Sequence, residues 1–293
     1  MSTDPLPADA GSPAHPNLFL LAERNADAIQ QQFVDLVAAA HPASRKEVLS
    51  RFAAYVESRS RLSINMLPGP LIRFLAMGWY PNVHDEVAYQ ADATGRAVDD
   101  LYLERIRSRT FVALRRAFDG CFDQGMHFVY AAMNCGGPGM TTFGDFCVAF
   151  SDSLIHDTAH LAYLPDDSLR TYVSGRPPVV DVGAVGRAVA PHRHRHHLAT
   201  LKHSADFFGH PDDIWPVLLC SGRKGIEAVL ADRPRTADIA EVRLEAARYD
   251  YYFGLAVAPD PTPADIDRGI EFLTILKHLD TCKRALVRDV HHA

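Results

Sequence analysis

The chain has 293 residues, 47 % of them hydrophobic and 23 % charged, with a formal net charge of −6. Those are the proportions of an ordinary globular protein, long enough to bury a full core without disulfides or a structural metal. The acidic balance argues against a dedicated nucleic-acid binder, which carries a basic surplus, and no run of about 18 apolar residues predicts a membrane span.

Residues 1–17 are rich in Pro, Ala, Ser and Asp and lack a basic start followed by an apolar stretch. They read as a disordered leader and not as a secretory signal. Leu21, Ile29, Phe33, Leu36 and Val37 recur at helical spacing over 18–40, and His41-Pro42 ends that helix. Ser44 and Glu47 make a capping-box pair for a second helix through Val48, Leu49, Phe52, Tyr55 and Val56. Arg61 to Leu67 alternates and predicts a half-buried strand. A short helix from Leu71 to Met77 stops at Gly78. Residues 81–100 are polar and read as irregular, and 99–118 read as a helix with an arginine-rich face.

Phe128–Met133, Phe146–Phe150 and Ala159–Leu164 read as strands, the first two joined by a Gly-rich loop over Asn134–Thr142. Residues 174–191 read as extended, and Leu198–Phe208 as helix or strand. Ile226 opens a further helix. The tail reads as helices over 236–250 and 264–289 with a Pro-rich link between them. The expected fold is α+β: a mixed sheet core with flanking helices over 18–234 and a helical C-terminal section over 235–293. Five cysteines without C-x-x-C spacing predict reduced, mostly buried thiols and a cytoplasmic location.

Four constellations could carry chemistry. His192, His194, His196, His197, His203 and His210 cluster in sequence. His192 and His196 would share a helix face as paired metal ligands do, but the interleaved Arg193 and Arg195 repel a cation and favour a solvated basic patch. His156-Asp157-Thr158-Ala159-His160 has the same i, i+4 spacing in a stretch that reads equally as a turn. The loop Asn134-Cys135-Gly136-Gly137-Pro138-Gly139-Met140 lets backbone approach a phosphate, yet lacks both the Rossmann and the P-loop spacing. Gly222-Arg223-Lys224-Gly225 places two cations in a turn. No nucleophile and base pair stands out, and Tyr249–Phe253 reads as core and interface aromatics.

From residue 44 to about 230 the element order resembles a family of uncharacterised bacterial proteins. The resemblance rests on Leu62 to Gly69 as first strand and turn, on Gly78-Trp79-Tyr80, on the strand Tyr130-Ala131-Ala132-Met133-Asn134, on Phe143-Gly144-Asp145 opening the next strand, and on Asp167-Ser168. The family's charged residues are replaced here: Asn82 to Glu86 stands for its acidic Gly-rich stretch, and Ser204 and Phe208 stand for a Glu and a His. Strand order and the Phe-Gly opening are also similar to ADP-ribosyltransferases. That likeness implies a transferase consuming NAD, as a toxin or modifying effector, with a nucleotide and a macromolecular acceptor as partners. Loss of nicotinamide leaves positive charge on the ribose, so a carboxylate is required beside it. The resemblance implies Asp206 or the Asp85/Glu86 pair, Glu86 in particular, for that role. It implies Asn65, Tyr80, Asn134, Phe143 and Gly144 as cofactor contacts. A catalytically inert protein-binding descendant and a His-dependent metalloenzyme are the alternatives.

Overall fold

The computed structural model describes residues 15–155, 158–206, 212–220 and 225–289. Its frame is set by strand alternation. In β1 (Arg61–Met66), Leu62, Ile64 and Met66 point to one face and Ser63 and Asn65 to the other. The same period of two runs through β2 (Val129–Asn134), β3 (Phe146–Phe150), β4 (Leu161–Leu164), β8 (Glu227–Leu230) and β9 (Ile239–Glu245). With β7 (Ala190–Pro191) and β10 (Ala285–Asp289) they form an eight-stranded sheet in the order β10-β9-β3-β1-β2-β8-β4-β7. Every pairing is antiparallel except β9 with β10. The small ribbon of β5 (Val173–Ser174) and β6 (Val179–Val180) stands apart from it. The fold is the expected mixed sheet with flanking helices and a helical C-terminal section.

The first face is apolar throughout. It packs on α2 (Ala43–Arg59), α3 (Pro68–Met77), α9 (Arg195–His203), α10 (Trp215–Cys220), α11 (Ala246–Ala256) and α12 (Pro263–Thr281), which supply Phe52, Phe74, Leu198, Trp215, Tyr252 and Phe272 to one core. The second face is apolar only toward β4 and β8. There α1 (Leu18–Ala39), α6 (Thr110–Asp119) and α8 (Val182–Ala188), with α7 (Ser168–Tyr172) beside them, cover Ala162, Leu164 and Val229. A third, smaller cluster of Val87, Ala91, Leu101, Tyr102 and Val112 joins α4 (Val83–Thr94), α5 (Val98–Ser108) and α6.

Several expectations need correction. Residues 81–100 are not irregular. Asn82 accepts from the His84 and Asp85 amides at 2.9 Å each, and Asp85 accepts from the Asn82 amide at 3.0 Å, a full capping box that starts α4 despite its polar sequence. The helix expected over 99–118 breaks at Arg109, whose backbone is extended. Ser44 lies inside α2, whose cap position is Pro42. The stretch 174–191 is not extended throughout, because Asp181 caps α8. Ile226–Leu230 leads into a strand and not a helix, because β2 and β4 both offer it a free edge. In 236–250 the alternation of Val242 and Leu244 with Glu241 and Arg243 makes β9, paired along β3.

β1 is buried on both faces and not half-buried, since the loop 135–144 folds over its second face. Gly144 makes this possible. It has φ +156°, and a Cβ there would stand 2.1 Å from the Met66 carbonyl carbon. Gly144→Ala is therefore expected to destabilise the fold by about 3 kcal/mol or more, read as a lowered denaturant midpoint. An unchanged midpoint would show that the loop does not need this approach.

Candidate functional site

The structure brings two of the expected cofactor contacts together and uses them up. Asn65 Nδ2 donates to the carbonyls of Pro138 (3.2 Å) and Gly144 (3.0 Å), and its Oδ1 accepts from the Met140 amide (2.7 Å). Asn134 Oδ1 accepts from the amides of Gly136 (2.9 Å) and Gly137 (2.8 Å), and its Nδ2 donates to Gly137 O and Ser63 Oγ. Three loop amides that could cradle a phosphate, those of Gly136, Gly137 and Met140, are thus already engaged. Both Asn side chains, 8 % and 2 % exposed, act as a clamp holding the loop on the sheet.

The two expected catalytic carboxylates sit on different elements, and of the two Glu86 is the one whose charge acts on Tyr80. Glu86, on α4, accepts from Arg73 at 2.9 Å and Arg105 at 2.8 Å. Its neighbour Asp85 is paired with Arg233. Asp206 follows α9 and takes a 3.2 Å contact from His203 Nδ1. Tyr80 packs edge-on against Phe74, and burial pushes its phenol up to about 12. Phe143 is exposed. His156, Asp157, Phe208, His210 and the Gly222–Lys224 turn lie outside the described residues.

Phe143 and Gly144 lead directly into a place with the character of a binding site. The amino end of α3 (Leu67 to Pro70), Asp145 at the entrance to β3, and one side each of α11 and α12 line an open cleft of about 610 Å³. That is within the size range of small-molecule sites. Arg248, Tyr251 and Tyr252 reach it from α11 at i, i+3 and i+4, and Arg268 and Glu271 from α12 at i, i+3, the spacings that share a helix face. Tyr252 donates to Asp145 Oδ2 at 2.8 Å, and Arg248 Nε stands 3.4 Å from Asp145 Oδ1. Burial, then the Asp145 contact, holds the Tyr252 phenol well above its ordinary range, so it stays a proton donor. Arg268 donates to the Tyr251 hydroxyl at 2.8 Å, and Glu271 lies beside Gly69. Two guanidinium groups, two carboxylates and an exposed aromatic ring thus converge. The guanidinium groups suit an anion such as a phosphate, the carboxylates a cationic centre, and the ring a planar group. Sequence reasoning did not find these residues. It took Tyr251 and Tyr252 as core and interface aromatics, and Arg248 and Arg268 stand 20 positions apart with no motif between them.

A second polar cluster is buried between α4, α5, α6 and the sheet. Asp119, 1 % exposed, accepts from Tyr130 at 2.5 Å and contacts His84 Nε2 at 2.7 Å, while His84 Nδ1 meets the Tyr102 hydroxyl at 2.5 Å. Both contacts are satisfied when Nε2 carries the imidazole proton and Tyr102 donates. Arg115 lies 3.3 Å from the Tyr130 ring centroid and donates to Ser168 Oγ at 3.2 Å. Beside it, burial pushes the Glu227 carboxyl up, against the pull of Arg115. This chain ties the α4–α6 layer to β2 and β8. Asp119→Ala would strand its partners His84 and Tyr130 and is expected to cost about 3 kcal/mol or more, measured by urea unfolding. A loss below 1 kcal/mol, on the order of one ordinary hydrogen bond, would show the chain to be dispensable.

The histidine cluster is not the expected solvated patch. His197 stacks on Phe33 of α1 at 4.2 Å and meets His194 Nδ1 at 3.0 Å, and His192 Nδ1 lies 3.1 Å from the Tyr163 hydroxyl. Burial first, then neighbouring Arg and His charges, lowers His192, His196 and His197 to about 4 from 6.5. Among the described residues no three His, Cys, Asp or Glu side chains are grouped as metal ligands would be. No helix among them is long and apolar enough to cross a membrane. Because the unfolded chain takes up protons first, the stability these neutral histidines supply is fully present above pH 6.5 and drains away as pH falls to about 4. His197→Phe should flatten this decline in unfolding midpoints across that window, and an undiminished slope would assign it elsewhere.

No protein-family model matches the chain, and no curated protein matches it.

Proposed function

We propose that the cleft between α3, α11 and α12 binds a nucleotide of the NAD type and that the protein transfers its ADP-ribosyl group. The observation that carries this reading is the charge arrangement of the cleft: Arg248 and Arg268 beside Asp145 and Glu271, with Tyr251 at the edge. NAD carries a pyrophosphate, a cationic pyridinium and flat rings, and the cleft offers a counterpart to each. Glu271 takes the role expected of Asp206 or Glu86, both of which are tied into other contacts. In the transfer step the bond from ribose to nicotinamide breaks and its electron pair leaves with nicotinamide. Positive charge grows on the ribose, where a carboxylate stabilises it until the acceptor nucleophile forms the new bond. Phe143 and Gly144 bring the chain to Asp145 at the cleft wall, and Asn65 fixes Gly144.

Purified protein is expected to release nicotinamide from NAD, followed by proton NMR. Glu271→Gln should slow release about 100-fold or more, Arg268→Ala should weaken NAD binding about tenfold, and Asp206→Ala should leave both unchanged. Binding without release would reduce the reading to a nucleotide-binding protein. No release and no shift of the NAD resonances would remove it.

A further inference from the structure

The two neighbouring tyrosines of the cleft use their hydroxyl protons differently. Tyr252 gives its proton to Asp145 Oδ2 at 2.8 Å, so that hydroxyl has none left for a ligand. Tyr251 stands on the accepting side of its contact: Arg268 Nη1 donates to its oxygen at 2.8 Å. A phenol that accepts one hydrogen bond still carries a proton to donate. Among the described residues Tyr251 makes no other hydrogen bond, and it lines the cleft at 41 % exposure.

The two guanidinium groups differ in the same way. Arg248 stands 3.4 Å from Asp145, which matches its charge. Arg268 makes no ion pair among the described residues. Glu271, one turn ahead on α12, does not pair with it. Asp265, one turn back, accepts from Thr262 Oγ1 at 2.6 Å as part of the cap of α12. With Nη1 engaged by a neutral oxygen, Arg268 keeps its charge and its remaining N–H donors.

An anion that enters between α11 and α12 therefore meets the Arg268 fork and the Tyr251 O–H in one place. A carboxylate has two oxygens, and the fork alone takes both. A pyrophosphate carries further oxygens on its second phosphorus, so it engages the fork and the hydroxyl together.

We infer that Tyr251 is a ligand-binding residue of the cleft, whose hydroxyl donates to the phosphoryl group held by Arg268, and that this pair selects phosphorylated ligands over carboxylates. The inference rests on the cleft as a nucleotide site but not on the transfer of an ADP-ribosyl group. The test is titration calorimetry of the full chain with ADP, with inorganic pyrophosphate, which has no ring to stack, and with citrate, a carboxylate of similar charge. ADP and pyrophosphate are expected to bind, and citrate about tenfold more weakly or worse. Tyr251→Phe keeps the ring and removes only the O–H. It should raise the dissociation constants of ADP and pyrophosphate about tenfold at an unchanged unfolding midpoint. Added to Arg268→Ala it should cost less than it does alone, because both groups act on one anion.

The assignment is overturned if neither phosphate ligand binds the wild type, if citrate binds as tightly as pyrophosphate, if Tyr251→Phe binds pyrophosphate as the wild type does, or if the two substitutions are additive. A weakened affinity that comes with a lowered unfolding midpoint would also overturn it, since the contact would then be a clip between α11 and α12. ADP binding that depends on Tyr251, without release of nicotinamide from NAD, would remove the transfer reading and leave this one standing. NAD bound and cleaved equally well by Tyr251→Phe would remove this one alone.

Discussion

Strand alternation divides the central sheet into two faces of unlike chemistry, and the helices are distributed according to that division. Leu62, Ile64, Met66, Val129, Ala131 and Met133 can only be buried by apolar neighbours, and six helices gather on their side. On the reverse side Ser63, Asn65, Asn134 and Cys147 present short side chains near the middle of the sheet. A helix laid there would leave the two amides unsatisfied, at a cost of a few kcal/mol each. The chain covers this area with backbone instead. The loop 135–144 supplies carbonyls and amides where a helix would supply methyl groups, and glycines let it come close enough.

The polar features then occupy different places for different reasons. The Asp119 chain sits where a layer of three short helices meets the sheet, deep enough that each group must be partnered by another protein group. The cleft lies at the margin of the first face, where the amino end of α3 and the sides of α11 and α12 do not close over Asp145. Its groups are only partly neutralised by one another: Arg248 and Tyr252 share Asp145, and Arg268 is held by a neutral hydroxyl. An incompletely matched set of charges facing open volume is better suited to receiving a ligand than a buried set with closed hydrogen bonding.

The main strands were legible because their pattern is local. Arg61–Met66, Val129–Asn134 and Phe146–Phe150 each carry enough apolar, strand-favouring residues to be recognised alone. Strands β8 and β9 were misread because the four residues of β8, Glu227 to Leu230, are too few to show a clear period, and because an alternating run followed directly by Ala246 and Ala247 blends into the helix after it. α4 was hidden by polarity: its start depends on the Asn82–Asp85 exchange, and its buried side is only His84, Val87 and Ala91. Asn65, Phe143 and Gly144 were named from a resemblance as cofactor contacts; the structure shows Asn65 and Gly144 bonded to each other, and none of the three lines the cleft. The cleft itself was not legible, since Asp145, Arg248, Arg268 and Glu271 are brought together only when α11 and α12 fold back between β9 and β10.

That connection has a thermodynamic consequence. Among the described residues β9 and β10 are the only parallel neighbours in the sheet, and the 39 residues between Glu245 and Ala285 supply two of the three helices that wall the cleft. Any molecule held by α11 and α12 therefore also opposes detachment of β10 from the sheet edge, because the strand cannot leave without carrying α12 with it. Occupancy and edge integrity are linked quantities: tighter binding slows the opening of the margin, and loosening the margin weakens binding by the same free energy.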